Sequence, residues 1–185
     1  MALRTIVLDG DPILKKVCRP VTDFSEKTAQ LLEDMEETLL DDMHETLTDA
    51  HGLGLAGPQV GVMRRVFICL DERGIPEDCE HPEELEPKFL EFINPEIIAQ
   101  EGEVELYEGC LSFPGHNGAI KRPQKVTVRA FDRHGKPFTL TGEDMLARCI
   151  CHETNHLDGV TIMDLAEFFY EDQEHDDEGE DAAEE

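Results

Sequence analysis

Apolar residues recur along this chain with two different periods, and the change of period marks out its elements. The run Ile6-Val7-Leu8 followed by Asp9-Gly10-Asp11-Pro12 predicts an extended arm and a bend. Ile13, Leu14 and Val17 fit one helical turn, ended by Pro20. Over residues 22–48, Leu32, Met35, Leu39 and Met43 return at helical spacing with acids between them. That predicts a long helix with a core-facing stripe, capped by Asp23 and Glu26. A β-rich run follows at residues 66–70. Residues 92–98 read as a strand interrupted by Pro95, and residues 102–107 alternate, with Val104 and Leu106 facing one way. Residues 126–131 and 138–140 flank a hairpin turn, Asp132-Arg133-His134-Gly135. A second helical pattern then begins. Met145, Cys149, His152 and His156 form one stripe, and Leu146, Ile150, Glu153 and Leu157 the next. Thr141 with Asp144 fits a capping box, and Gly159 a C-terminal stop. Helix, several strands, helix is the order of an α+β fold, in which antiparallel sheets pack around the second helix and an N-terminal helix is added.

Two stretches have no simple period. Residues 51–61, HGLGLAGPQVG, hold four glycines and a proline, which predicts a backbone-shaping loop. It lacks the pattern of a phosphate loop, and Gln59 is the one polar side chain in its middle. Residues 71–87 are acidic and contain Pro76, Pro82 and Pro87, which predicts a surface loop.

Charge narrows the possible partners. The 185 residues carry a formal net charge of -27. Residues 167–185 hold 11 acids and no Lys or Arg, leaving 32 acids against 16 bases in the rest. Such a surface excludes general nucleic-acid binding, DNA included. We expect a catalytic domain over residues 1–166 and an acidic, disordered tail over 167–185, with at most a short helical continuation through Tyr170. The start of the chain lacks the basic and apolar regions of a signal peptide, and no run approaches the ~20 apolar residues of a membrane span. The expectation is a cytoplasmic protein without a membrane partner. The six cysteines form no C-x-x-C pair, which fits reduced thiols, one or more serving a metal.

The chemistry concentrates in His152-Glu153-Thr154-Asn155-His156, an H-E-x-x-H motif. Residues four apart on a helix lie one above the other, so the two imidazoles can share one ion. Glu153 sits one step round, near enough to touch a water on that ion without being a ligand. A catalytic site needs a third protein ligand and an open position. Cys110, in the stretch Glu108-Gly109-Cys110-Leu111-Ser112, is a candidate for that ligand. Cys149 is a rival, but a third ligand on the same helix constrains geometry. Cys79 with His81 is too short and solvated a pair, and His44 and His134 read as surface or turn residues.

Three separated stretches, in order, resemble the peptide deformylase family: GLGLAGPQ at residues 52–59, EGCLS at 108–112 and HETNH at 152–156. GDPILKKVCRPV near the start and VRAFDRHGKPF before the motif helix are also similar to it. The chain departs from the family's usual pattern at Gly57, where alanine is usual, at Cys151, where glutamine is usual, and at Asn155, where aspartate is common. The family often continues into a long, frequently basic helix that docks on the ribosome, and here the tail is short and acidic.

The resemblance implies hydrolysis of the formyl group from the formylmethionine of nascent chains, releasing formate. It implies Cys110, His152 and His156 as ligands of one divalent ion, Fe(2+) in the family, with Zn(2+), Ni(2+) or Co(2+) as replacements. Glu153 is then the general base, and the Gln59 amide and Leu111 N–H are donors to the oxyanion. The substrate would lie extended between Leu53-Gly54 and Gly109, with Cys149 lining the methionine pocket. Glu108, on the substrate side, would pair with Arg122 beneath that pocket. Any transient ribosome contact would use Lys121, Arg122, Lys125, Arg129, Arg133 and Lys136. Two other readings are an H-E-x-x-H zinc peptidase, which EGCLS argues against, and a non-catalytic metal module.

Overall fold

The computed structural model of the chain describes residues 2–45, 52–73 and 87–171. His51, Cys79, His81 and the tail from residue 172 lie outside the described residues, as do the side chains of Met43 and His44. Helix α1 (Glu26–Glu45) begins four residues later than the periodicity suggests. Asp23 is held before it: its backbone carbonyl accepts from Thr28 Oγ1 at 2.8 Å, and its carboxylate accepts from Ser25 Oγ at 2.9 Å.

Five strands make the main sheet, in the order β1 (Gly54–Ala56), β2 (Val66–Leu70), β3 (Phe89–Glu101), β6 (Lys125–Phe131), β7 (Pro137–Glu143). All neighbours are antiparallel. The β2 sequence VFICL has no polar alternate because both of its faces are covered. Val66 and Ile68 pack with Leu32, Met35 and Leu39 of α1. Phe67 and Cys69 pack with Ala147, Ile150 and Leu157 of the second helix, α2 (Asp144–Leu157). The Phe67 and Phe92 rings stack at 4.6 Å between centroids. The sheet therefore lies between two helices, and each fully buried Leu or Phe contributes roughly 1.5–3 kcal/mol.

Pro95 does not break its strand; β3 runs on past it, with a register shift between Ile93 and Glu96. Asn94 takes a positive φ of 51° there, and its side-chain amide pairs with both the Val21 N–H and the Val21 carbonyl. The irregularity thus docks the N-terminal arm on the sheet. That arm is extended as expected, but Pro12–Lys15 forms a 3-10 turn and Val17 is exposed.

A second, three-stranded sheet has the order β4 (Val104–Glu108), β5 (His116–Arg122), β8 (Phe169–Glu171). Leu106 is 46 % exposed, and the buried residue of β4 is Glu108. Strand β5 escaped notice because its apolar content is only Ala119 and Ile120 between polar ends. No helical continuation reaches Tyr170, within the expectation of at most a short one. A short helix, α3 (Ile162–Leu165), leads into β8, which pairs with His116, Asn117 and Gly118, so folded structure extends past residue 166.

Thr141 is not an N-cap: it lies in β7 opposite Thr127, and α2 starts directly from the strand. Asp144 makes this junction with a φ of 50° and a bond from its N–H to the Gln124 carbonyl. Gly159 ends α2 as expected, at φ +73°; a Cβ there would meet the Lys15 carbonyl at 2.7 Å. Among the described residues, no helix is long and apolar enough to cross a membrane.

Candidate metal centre and active site

Helix α2 carries His152 and His156 one turn apart, while Cys110 arrives on the chain leaving β4. Cys110 Sγ lies 3.3 Å from His156 Nε2, and the two Nε2 atoms are 3.2 Å apart. Metal–ligand lengths of about 2.0–2.1 Å to nitrogen and about 2.3 Å to sulfur place tetrahedral ligand atoms roughly 3.3–3.6 Å from one another. The sulfur and two nitrogens are spaced to hold one small divalent ion, and they are the one such group among the described residues. Cys149 is not part of it. Its thiol turns to Cys69 Sγ at 3.0 Å and the Leu53 carbonyl at 3.4 Å.

Glu108 organises one side of the site through buried contacts. Its carboxylate accepts from Arg122 Nε and Nη2, both at 2.8 Å, and from Arg148 Nη1 at 2.6 Å. Its Oε2 also lies 3.1 Å from His152 Nδ1, which leaves Nε2 for the ion. Burial pushes the Glu108 carboxyl up, but the Arg122 and His152 contacts outweigh it and hold it at about 2. The expected Glu108–Arg122 pair is therefore present and buried. Burial pushes His152 down, while Cys110 and Glu108 more than reverse this and leave it well above its usual value. His156 goes well below, first through burial and then through the neighbouring His152.

Glu153 is 3 % exposed. Its Oε2 has no hydrogen-bond partner among the described residues. Burial raises its carboxyl to about 7. A buried carboxyl with one oxygen unpartnered is suited to take and return a proton near neutral pH. Gly54 on β1 makes room for it: a Cβ there would meet Glu153 Oε1 at 2.6 Å and Cys149 Sγ at 2.7 Å.

Gln59 is buried in a 3-10 turn, Gly57–Val60. Its Oε1 accepts from the Ala56 N–H at 2.8 Å, which aims Nε2 at Ser112 Oγ (3.3 Å) and Cys110 Sγ (3.6 Å). Gly57, where alanine is usual in the resembled family, has no space for a Cβ, which would meet the Val62 and Arg64 carbonyls at 2.7 and 2.8 Å. A turn closed by Phe113 N–H to the Cys110 carbonyl at 2.8 Å carries Leu111 and Ser112 at its centre. The N-terminal arm braces both loops, with Val7 N–H on the Gln59 carbonyl and Asp9 N–H on the Ser112 carbonyl.

Beside Glu153, a pocket of about 250 Å³ is lined by Leu53, Leu70, Met145, Leu146 and Cys149, with Glu72, Arg73, Glu143 and Asp144 also bordering it. Met145, on the same stripe as His152 and His156, is 46 % exposed and borders this pocket. Strand β1, with Leu53 just before it, and the chain at Gly109 after β4 both belong to sheet edges.

Arg148, Ser112 and Cys69 were not singled out from the sequence. Arg148 did carry a signal, since it stands four residues, about one helical turn, before His152. Cys69 carried none, as one apolar letter in a buried strand. Asn155 accepts from Arg122 Nη1 at 2.5 Å, and Cys151 is buried outside the ligand group. The basic cluster expected as a ribosome surface is mostly neutralised. Arg122 is buried, and Lys121, Lys125, Arg129 and Arg133 pair with Glu167, Glu143, Glu96 and Glu91.

Comparison with known proteins gives the same answer. The family model described as Polypeptide deformylase matches residues 3–169. The peptide deformylase of Caldanaerobacter subterraneus subsp. tengcongensis is 43% identical over 174 residues, covering 94% of this chain and 96% of that protein. Peptide deformylase 2 of Clostridium acetobutylicum is 41% identical over 165 residues, 89% of this chain and 96% of that one. Among solved structures, the peptide deformylase from Thermotoga maritima superposes with a TM-score of 0.75 at 32% identity, covering 90% of this chain and 99% of that one. That from Legionella pneumophila gives 0.74 at 40%, covering 89% and 86%. With its motifs gathered at one site and the family match running through nearly all its folded length, this chain belongs to the peptide deformylase family.

Proposed function

We propose that this chain hydrolyses the N-terminal formyl group of formylmethionyl nascent polypeptides in the cytoplasm, releasing formate and a free amine. The observation that carries the proposal is the convergence of Cys110 Sγ, His152 Nε2 and His156 Nε2 beside the buried Glu153, whose Oε2 has no hydrogen-bond partner among the described residues. Cys110, His152 and His156 would hold one divalent ion, most simply Fe(2+), with Zn(2+), Ni(2+) or Co(2+) as replacements. When bound, such an ion supplies a Lewis acid and lowers the pKa of water.

The remaining work belongs to the chain. Glu153 accepts the proton of the attacking water and passes it to the amine as the formyl C–N bond breaks and a C–O bond forms. The Gln59 Nε2–H and the Leu111 N–H donate to the developing oxyanion. Glu108 orients His152. The peptide adds as a strand between Leu53-Gly54 and Gly109, so affinity comes from backbone bonds common to all nascent chains. The methionine side chain enters the pocket beside Cys149. Contact with the ribosome is transient, since so few of the hairpin's cations are unpaired.

Formate release from a formyl-Met tripeptide, assayed anaerobically with metal measured on the same sample, tests the reading. Cleavage of an internally blocked peptide without formate release would refute it in favour of a peptidase.

A further inference from the structure

We propose that Arg148 is a positioning residue for the metal centre, fixing how far the Cys110-bearing strand stands from the helix that carries the histidines. The inference rests on the deformylase reading only in taking Cys110, His152 and His156 as the ligands.

Neutralising Glu108 does not require Arg148. Arg122 already grips that carboxylate with two bonds of 2.8 Å. A second buried guanidinium adds a charge that is costly to bury unless it is paired and hydrogen-bonded. Its two terminal nitrogens are bonded in an unusual direction. Besides Glu108 Oε1 at 2.6 Å, Arg148 Nη2 donates to the Val104 carbonyl at 3.0 Å, and Nη1 lies 3.2 Å from the Ile120 carbonyl and 3.5 Å from that of Leu106. One planar group therefore binds the backbone of β4 and β5 and the carboxylate at the end of β4. Cys110 leaves that strand two residues after Glu108.

The other side of the contact is a stripe on α2. Arg148 and His152 are four apart and Asn155 three further, so they share one face over successive turns. Arg148 meets Glu108 Oε1, His152 meets Glu108 Oε2, and Asn155 meets Arg122 Nη1. The small sheet thus docks on the helix through this stripe, and Arg148 supplies its N-terminal anchor. No other described contact ties α2 to the backbone of both β4 and β5 through one side chain. If that anchor goes, β4 can slide relative to α2, and the Cys110 thiolate and two imidazoles lose their fixed spacing.

The test uses full-length protein loaded with Co(2+), whose d–d and thiolate-to-metal absorption bands report ligand geometry. Arg148→Met should lower Co(2+) affinity, read by chelator competition, by about 10–100-fold and shift the absorption bands. Arg148→Lys keeps the charge but lacks the fork, so it should fold with near wild-type stability while still showing weakened affinity and altered bands. Arg4→Met breaks the distant Arg4–Asp34 pair and serves as the control. It should lower thermal stability and leave affinity and bands unchanged. Wild-type affinity and bands in both Arg148 variants would overturn the proposal, as would the same band shift in Arg4→Met. None of these readouts uses formate release, so failure of the deformylase reading would appear separately, as inactive wild-type protein with an intact metal site.

Discussion

Replacing Glu108 with glutamine removes one negative charge from between two buried guanidinium groups and an imidazole. Its magnitude follows from the folded carboxyl, held at about 2 against an ordinary 4.5. A lowered carboxyl contributes stability that is complete above its unfolded value and is lost as pH falls through its folded one. At about 1.4 kcal/mol per tenfold step, that difference corresponds to roughly 3 kcal/mol near pH 7, falling to roughly 1.4 kcal/mol at pH 3. Breaking a buried pair by removing one partner costs about 3–5 kcal/mol, which agrees. Urea unfolding of metal-free wild type and Glu108→Gln from pH 3 to pH 7 measures the gap directly. A gap below about 1 kcal/mol at pH 7, or one that stays flat over this range, would refute the claim that this carboxylate is held charged by its neighbours.

Glu153→Ala should keep the metal and lose about 10²–10⁴-fold in turnover, because a base and not a ligand is removed; metal analysis and formate assay on one sample decide it, and loss of metal would reassign the residue. Cys110→Ser should empty the site at ion concentrations that saturate the wild type, whereas Cys149→Ser and Cys151→Ser should not, as read by metal content after dialysis. Burial and the neighbouring Glu91 raise Glu36 to about 7, so its stabilising contribution is present below about 4.5 and lost as pH rises through 7. Glu36→Gln should therefore raise Tm relative to wild type at pH 8 and match it near pH 4, and the opposite order would contradict the raised carboxyl. Deleting residues 172–185 should leave activity on a short formyl-Met peptide unchanged, since β8 ends at Glu171; a clear fall would assign those residues to the active part.

The second helix was legible in the sequence because its evidence is local. Two histidines four apart, an apolar flank and Gly159 all act within a few turns, and helical geometry alone places the imidazoles together. The covered strand β2 and the hairpin at Asp132 were legible for the same reason. Cys110 was legible as a candidate from its residue type and from a resemblance, but not as a position: 42 residues separate it from His152, and only the crossing of β4 and α2 brings its sulfur to the imidazoles. Strands β1 and β5 were missed because each is short in apolar alternation, with glycines or polar ends in place of a pattern, and β8 because its partner β5 lies about 50 residues away in sequence. Thr141 illustrates the converse, a sound local capping signal overruled by strand pairing with Thr127. Arg148 and the pairing of the hairpin cations were likewise decided by tertiary structure. A charged letter in a sequence does not say whether water or a carboxylate will surround it, and packing around Glu108 settled that for two arginines at once.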